Sequence, residues 1–209
     1  MMRKSLSLAE RFISRSFLQR IPSLRRRFEL AKPYPHLHAR NFLDERVARE
    51  LAKEVKGLRF ERKETDLFSF YQSDDFSALK SGELREFYEF LRSEEGFAIF
   101  EALTGAKLQG QLRVAATLFK PTDYLLCHDD NVESRKLAFI IYLTKGMLAR
   151  DGGRFVVYNS KNLRPTDAAK KYSPTWNSLL VFKVTRKSFH EVEENVGKKS
   201  RYAIGGWLN

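Results

Sequence analysis

The sequence predicts an α+β fold that is mainly β, a sandwich or barrel of short strands buttressed on one face by N-terminal helices. Two features predict it. Up to Gly105 apolar residues recur at helical spacing, whereas from Gln111 onward they occur in short runs rich in β-branched and aromatic residues. With 209 residues, 43% of them hydrophobic, the chain can bury one sizeable core. We therefore expect one globular domain at 33–209, preceded by a basic helical segment at 1–32.

The first helix of this domain is predicted in the stretch "LDERVARELAKEVKG". Val47, Leu51 and Val55 fall on one face at helical spacing. Asp44 is a suitable N-cap because its carboxylate can accept from free backbone N–H groups, and Gly57 stands just past the end.

Two further helices are predicted before the strands begin. In "SGELREFYEFLRS" an apolar stripe follows Ser81, which we expect to be the N-cap. The stretch "EEGFAIFEALTG" is expected to end at Gly105.

The second half of the chain carries strand signals. Pro, Gly, Asn and Asp separate its apolar runs, as is typical of turns between strands. The predicted strands are "QLRVAATLF", "KLAFIIYL", "GRFVVYN", "SLLVFKV" and "RYAIGGWL".

The positive charge is concentrated at the N-terminus. Residues 1–32 hold nine Lys or Arg against two Glu, and so contribute +7 of the formal charge of +12. Three interpretations stay open: a solvated basic helix packed on the domain, a surface that contacts RNA or the ribosome, and an organellar transit peptide, which ranks last. We expect no membrane contact, because no apolar run approaches the roughly 20 residues needed to cross a bilayer. The expected location is the cytoplasm, or also the nucleus if the source is a eukaryote.

A metal site is predicted in the stretch "LLCHDDNVESRKLAFIIYL". Because strand side chains alternate between faces, His128 and Asp130 should project together and Asp129 away from them. His190, in "SFHEV", supplies a third group, and two imidazoles with one carboxylate suit non-haem Fe(II) with open coordination positions. Cys127 is the only cysteine, so thiolate clusters and internal disulfides are excluded.

Other interpretations of these histidines are open at this point. A lone H-x-D is a weak motif, and His190 could be a hydrogen-bonded core residue. His36 and His38, in "YPHLHAR", have the same spacing and are rival ligands, although no carboxylate stands in their motif.

Arg201 favours the metal interpretation. It lies eleven positions after His190 and opens the strand "RYAIGGWL", which should run beside the strand of His190. A buried guanidinium needs an anion, and 2-oxoglutarate can chelate a metal at one end and pair with an Arg fork at the other. Tyr142 could add a phenolic hydrogen bond to the same carboxylate.

Several ordered blocks resemble one known family. "LLCHDD", "SRKLAFIIYL", "DGGRFVVYN", "SFHEV" and "SRYAIGGW" are similar to the catalytic domain of the 2-oxoglutarate and Fe(II)-dependent prolyl hydroxylases that act on a ribosomal protein of the decoding centre. The likeness extends from about His36 to Trp207. It implies a double-stranded β-helix, or jelly roll, with His128, Asp130 and His190 on the metal and Tyr142 and Arg201 on 2-oxoglutarate.

The resemblance also implies cofactors and a substrate. These are Fe(II), 2-oxoglutarate as cosubstrate, O2, ascorbate as an accessory reductant, and a small-subunit ribosomal protein as the target. Eukaryotic members continue into a second jelly-roll domain, whereas this sequence stops at Asn209. Two alternatives remain: an oxygenase acting on free proline, another peptide or nucleic acid, and a non-catalytic jelly-roll binding module.

Overall fold

The computed structural model describes residues 7–132 and 134–209, so that Arg3 and Lys4 of the basic segment lie outside the described residues. Within those ranges it contains five α-helices and eleven β-strands. The helices are Leu8–Phe12 (α1), Arg15–Leu30 (α2), Glu45–Lys56 (α3), Glu83–Leu91 (α4) and Glu94–Thr104 (α5). The strands are His36–Arg40 (β1), Glu61–Thr65 (β2), Phe68–Gln72 (β3), Leu112–Phe119 (β4), Tyr124–His128 (β5), Leu137–Tyr142 (β6), Phe155–Lys161 (β7), Arg164–Tyr172 (β8), Ser178–Lys183 (β9), His190–Val192 (β10) and Arg201–Leu208 (β11).

The last eight strands pair in a nested order. β4 pairs with β11, β5 with β10, β6 with β9 and β7 with β8, all antiparallel. This is the pairing of one long hairpin folded over on itself, which defines a jelly roll. The strands form two half-sheets, β9-β6-β11-β4 and β5-β10-β7-β8. The predicted mainly-β jelly roll is therefore confirmed.

Additional strands nearly close the sheet into a barrel. β3 pairs with both β4 and β5 and so joins the two half-sheets on one side. On the other side β1 extends the first half-sheet by pairing with β9, while β8 ends the second. The described residues show no backbone pairing between β1 and β8, so the barrel has one open seam.

The helix predictions are confirmed in position, with one error in capping. Asp44 caps α3 by accepting from the N–H groups of residues 46 and 47, as predicted. Ser81 does not cap α4. The carboxylate of Glu54, in the last turn of α3, instead accepts from the N–H groups of Glu83 and Leu84, each at 2.9 Å. α5 ends at Gly105, whose φ of +73° is the left-handed conformation that glycine adopts without strain.

The basic N-terminal helices share the core of the domain. Phe12 of α1, and Phe17 and Phe28 of α2, are buried in the same apolar cluster as Ile141 and Val181 of the sheet. α2 packs against α5 and β1. The proposed boundary at residue 32 stays a prediction, although burial of these rings ties the segment to the domain. No helix of the described residues is long and apolar enough to cross a membrane.

Candidate metal centre

The structure brings His128, Asp130 and His190 together. His128 is the last residue of β5 and His190 the first of β10, and the two lie directly opposite each other in the antiparallel pair. Nε2 of His128 is 3.6 Å from Oδ1 of Asp130, and Nε2 of His190 is 3.5 Å from Oδ2. One potential ligand atom from each residue lies within 4.8 Å of the others, and no other group of this kind occurs in the described part of the chain.

Asp130 reaches this cluster by a route that the strand pattern did not predict. β5 ends at His128, and Asp130 adopts a φ of +58°, in the left-handed region. The turn, rather than strand alternation, therefore aims its carboxylate at the histidines. The Asp129 carboxylate instead accepts from the N–H of Asn131 at 3.0 Å, and so stabilises the turn.

Backbone contacts fix the orientation of both imidazoles. Nδ1 of His128 lies 2.8 Å from the carbonyl oxygen of Leu126, and Nδ1 of His190 lies 2.7 Å from that of Ser188. A carbonyl oxygen only accepts, so Nδ1 carries the proton and Nε2 presents a lone pair to the centre. Burial, and secondarily His128, lower the pKa of His190, which keeps it neutral at physiological pH.

Two side chains outside the predicted set hold the Asp130 carboxylate. The indole Nε1 of Trp207 donates to Oδ2 at 3.2 Å, and Nη1 of Arg135 donates to Oδ1 at 3.4 Å. The Arg135 guanidinium carbon also lies 3.9 Å from the centre of a Trp207 ring. Sequence reasoning missed both residues. Trp207 lies 77 positions from Asp130 and only the fold makes them neighbours, whereas Arg135 lies five positions away and its closeness in the chain was a signal that could have found it.

Aromatic rings surround His190 and keep it from solvent. Its ring centre is 4.9 Å from that of Phe155, nearly parallel to it, and 4.5 Å from that of Phe182. The His128 ring lies 4.2 Å away on the metal side. Such packing fixes the ring position and excludes water from the imidazole.

Arg201 is buried without an anionic partner. The residue is 1% exposed, and its guanidinium carbon lies 4.8 Å from the ring centre of Phe119 and 4.9 Å from that of Tyr142. Among the described residues its Nε has no hydrogen-bond partner and the side chain forms no ion pair. A buried cation of this kind requires an anion to offset its lost hydration.

Tyr142 lies behind this guanidinium. It is fully buried, and within the described part of the chain its hydroxyl also lacks a hydrogen-bond partner. Burial raises the pKa of Tyr142, while the neighbouring Arg201 lowers it to a smaller extent. The phenol therefore stays protonated and can donate. It does not line the cavity itself.

One cavity joins Arg201 to the His–Asp–His cluster. The expectation that the strand of Arg201 runs beside that of His190 is wrong, because β11 pairs with β4 and β6 whereas β10 pairs with β5 and β7. The cavity offers about 680 Å³ of atom-free space, its open mouth included. Apart from these residues the lining is mostly apolar and aromatic, with Phe70, Phe119, Leu125, Phe155, Phe182 and Trp207. The donor set fits Fe(II), and the orphaned buried guanidinium fits a dianionic ligand that reaches from the metal to Arg201.

The rival histidines do not form a second site. In β1, Nε2 of His36 lies 2.8 Å from the Tyr172 hydroxyl, and Nε2 of His38 lies 2.9 Å from Oγ of Ser178. Burial, and secondarily nearby positive charge, lower the pKa of His38 to about 4. Both rings are therefore neutral hydrogen-bonded residues of the strand.

Sequence comparison links this geometry to known proteins. A profile of the 2OG-Fe(II) oxygenase superfamily matches residues 114–209. "Prolyl 3-hydroxylase OGFOD1" of Xenopus laevis is 33% identical over 185 residues, which cover 85% of this chain and 35% of the relative. "Prolyl 3,4-dihydroxylase OGFOD1" of Ostreococcus tauri is 31% identical over 220 residues, covering 97% of this chain and 43% of the relative. The chain thus spans less than half the length of these relatives.

Solved structures show the same fold at low sequence identity. A prolyl-4-hydroxylase of Pseudomonas putida superposes with a TM-score of 0.71 at 19% identity, covering 90% of this chain and 98% of that one. A prolyl hydroxylase of Trichoplax adhaerens, in complex with a hypoxia inducible factor peptide fragment, gives 0.72 at 16% identity and covers 93% of both chains.

Proposed function

We propose that this chain, whose residues 114–209 match the 2OG-Fe(II) oxygenase superfamily, is an oxygenase of that superfamily and hydroxylates a prolyl residue of a protein, a small-subunit ribosomal protein of the decoding centre. The observation that carries the proposal is the single cavity in which His128, Asp130 and His190 face a buried, anion-free Arg201. Relatives named prolyl hydroxylases support the class of target. Such a target would place the enzyme in the cytoplasm, or also in the nucleus of a eukaryotic cell.

Each donor of the site would have a defined partner. His128, Asp130 and His190 would hold Fe(II), and Arg201 would pair with the distal carboxylate of 2-oxoglutarate. Tyr142 lies beside Arg201 but outside the cavity lining, so its hydroxyl would donate to that carboxylate only once the ligand is paired with the guanidinium. When bound, iron, 2-oxoglutarate and O2 supply the oxidising equivalents that insert one oxygen atom into a C–H bond, with the cosubstrate converted to succinate and carbon dioxide.

The chain's own residues bind, orient and desolvate the reactants. Neutral imidazoles direct Nε2 lone pairs at one point, and Trp207 and Arg135 hold the Asp130 carboxylate in place. Phe155 and Phe182 exclude water from His190. A pyrrolidine ring is compact and apolar, so the aromatic lining at Phe70 is a suitable wall for a prolyl side chain.

The proposal is tested by mass spectrometry of the ribosomal decoding-centre protein. The protein is incubated with enzyme, Fe(II), 2-oxoglutarate, ascorbate and O2, and we expect a prolyl residue that gains one oxygen atom. Asp130→Ala should give no product, whereas Asp129→Ala should retain turnover.

A parallel panel separates the alternative substrates. It contains free proline, unrelated prolyl peptides and methylated oligonucleotides. Turnover on one of these together with none on the ribosomal protein would replace the proposed substrate. Failure of every substrate, despite tight binding of metal and 2-oxoglutarate, would favour a non-catalytic binding module.

A further inference from the structure

The open seam of the barrel is bridged by side chains. β1 and β8 are the two ends of the sheet order, and the Tyr172 hydroxyl at the end of β8 lies 2.8 Å from Nε2 of His36 in β1. The Tyr172 ring also packs edge-on against His36 and His38, with ring centres 5.5 and 5.3 Å away. These contacts form the floor of a surface groove that follows the seam.

Basic residues form both walls of this groove. Arg26, Arg27 and Lys32 stand on the side of α2, and Lys170 of β8 stands opposite. We call this set the seam groove. All four side chains are exposed, and no carboxylate lines the groove in the described part of the chain.

The acidic residues of these two elements, Glu29 of α2 and Asp167 of β8, lie outside the groove lining and already have partners, as does Glu193; Asp167 accepts from Asn159 at 2.9 Å. Glu29 of α2 accepts from Arg25 at 2.9 Å. Glu193 accepts from Lys171 at 2.7 Å and also pairs with Arg154. Within the described residues none of the four cations of the seam groove forms a salt bridge, so their charge is available to a ligand.

We propose that the seam groove binds the phosphate backbone of an RNA strand. The guanidinium of Arg can donate two parallel hydrogen bonds to phosphate oxygens. Binding of a polyanion to closely spaced cations is also favourable, because the counterions of the polyanion are released. This RNA binding is additional to the proposed hydroxylation and does not depend on it.

The groove adjoins the metal cavity through one strand. His36 lies opposite Phe182 in the β1–β9 pair, and Phe182 lines the metal cavity. Side chains of directly paired residues lie on the same face of a sheet, so an RNA strand in the seam groove would lie beside the cavity, one strand away from it.

The salt dependence of RNA affinity measures how many cations contact phosphate. For a labelled single-stranded RNA, the logarithm of the association constant should fall against log salt with a slope of about −0.7 per contact, so four contacts predict about −2.8. Fluorescence anisotropy from low to physiological salt gives this slope. Arg26→Gln/Arg27→Gln should reduce its magnitude by about 1.4.

Neighbouring residues of β8 provide a matched control. Lys170 lines the seam groove, whereas Lys171 pairs with Glu193 outside it. Lys170→Gln should reduce the magnitude of the slope by about 0.7, and Lys171→Gln, which removes the same charge, should leave it unchanged. Thermal melts and metal titration of each variant establish that the fold and the metal centre are intact.

A second control removes two exposed charges outside the seam groove, with Lys161→Gln/Arg164→Gln at the tip of the β7–β8 hairpin. Equal losses from this pair and from Arg26→Gln/Arg27→Gln would mean diffuse attraction and would overturn the proposal. Polyglutamate that binds as tightly as RNA, with the same sensitivity to Lys170→Gln, would replace RNA by an acidic polypeptide. None of these readouts depends on hydroxylation.

Discussion

Replacing Arg201 should separate cosubstrate binding from metal binding. The guanidinium is 1% exposed and has no anionic partner among the described residues, so the proposed 2-oxoglutarate carboxylate would be its counter-ion. Arg201→Ala would leave that carboxylate buried and unpaired, which typically costs about 3 to 5 kcal/mol. At 1.4 kcal/mol per tenfold, affinity should fall by roughly one hundred- to a few thousand-fold.

Graded variants sharpen this expectation. Arg201→Lys keeps the charge but loses the two-pronged geometry, so its affinity for 2-oxoglutarate should lie between those of the wild type and Arg201→Ala. Tyr142→Phe removes one hydrogen bond to a charged group and should cost about 1.5 to 3 kcal/mol. The assay is titration calorimetry of 2-oxoglutarate into Mn(II)- or Fe(II)-loaded protein without oxygen, with metal affinity measured alongside as the control.

Replacing Arg201 should have the opposite effect on the stability of the ligand-free protein. An unpaired buried cation destabilises the fold, partly offset by its two flanking rings, each contributing about 0.5 to 2 kcal/mol. Arg201→Met, which fills a similar volume without charge, should therefore be at least as stable as wild type without ligand. Wild type should gain stability on adding 2-oxoglutarate, and the variant should gain little. A variant that binds 2-oxoglutarate as tightly as wild type, or that unfolds without it, would refute this reasoning.

Three further predictions follow from individual contacts. Asp130→Ala should abolish metal binding, and Asp129→Ala should retain it, measured by Mn(II) titration; the reverse pattern would contradict the observed turn. Trp207→Phe should lower metal affinity by about 10- to 100-fold without cosubstrate present, because it removes a donor to Asp130; unchanged affinity would mean that this hydrogen bond does not orient the carboxylate. Phe17→Ala should cost about 3 to 5 kcal/mol of unfolding free energy in urea, whereas exposed Arg15→Ala should cost less than 1, and equal effects would contradict burial of α2 in the core.

The clustering of His128, Asp130 and His190 could be predicted from the sequence, because few residue types can bind a metal and all three stand next to apolar runs. Nested pairing then brings the ends of β5 and β10 together. The reason given for Asp130 was nevertheless wrong, since alternation applies only within a strand and β5 stops at His128. Tertiary contacts decide whether a residue at a strand end adopts the left-handed conformation, and no local sequence pattern encodes those contacts.

Elements without an apolar pattern could not be predicted. Nearly every residue of β8, "RPTDAAKKY", is exposed, so alternation gives no signal, and pairing with β7 alone makes it a strand. The cap of α4 was missed for a similar reason. Glu54 lies about thirty positions before the groups it caps, and only the packing of α3 against α4 places it there.

The topology explains why cosubstrate and metal should bind in a linked manner. His128 and His190 belong to the half-sheet that contains β5 and β10, whereas Arg201 belongs to β11 in the other half-sheet. A ligand that reaches from the metal to Arg201 therefore bridges the two halves across the cavity. Arg201 and Arg135 already place more positive than negative charge around Asp130, and a divalent cation would add to it. A dianion would offset this excess, so metal binding should favour 2-oxoglutarate, and by linkage 2-oxoglutarate should tighten the metal by the same factor.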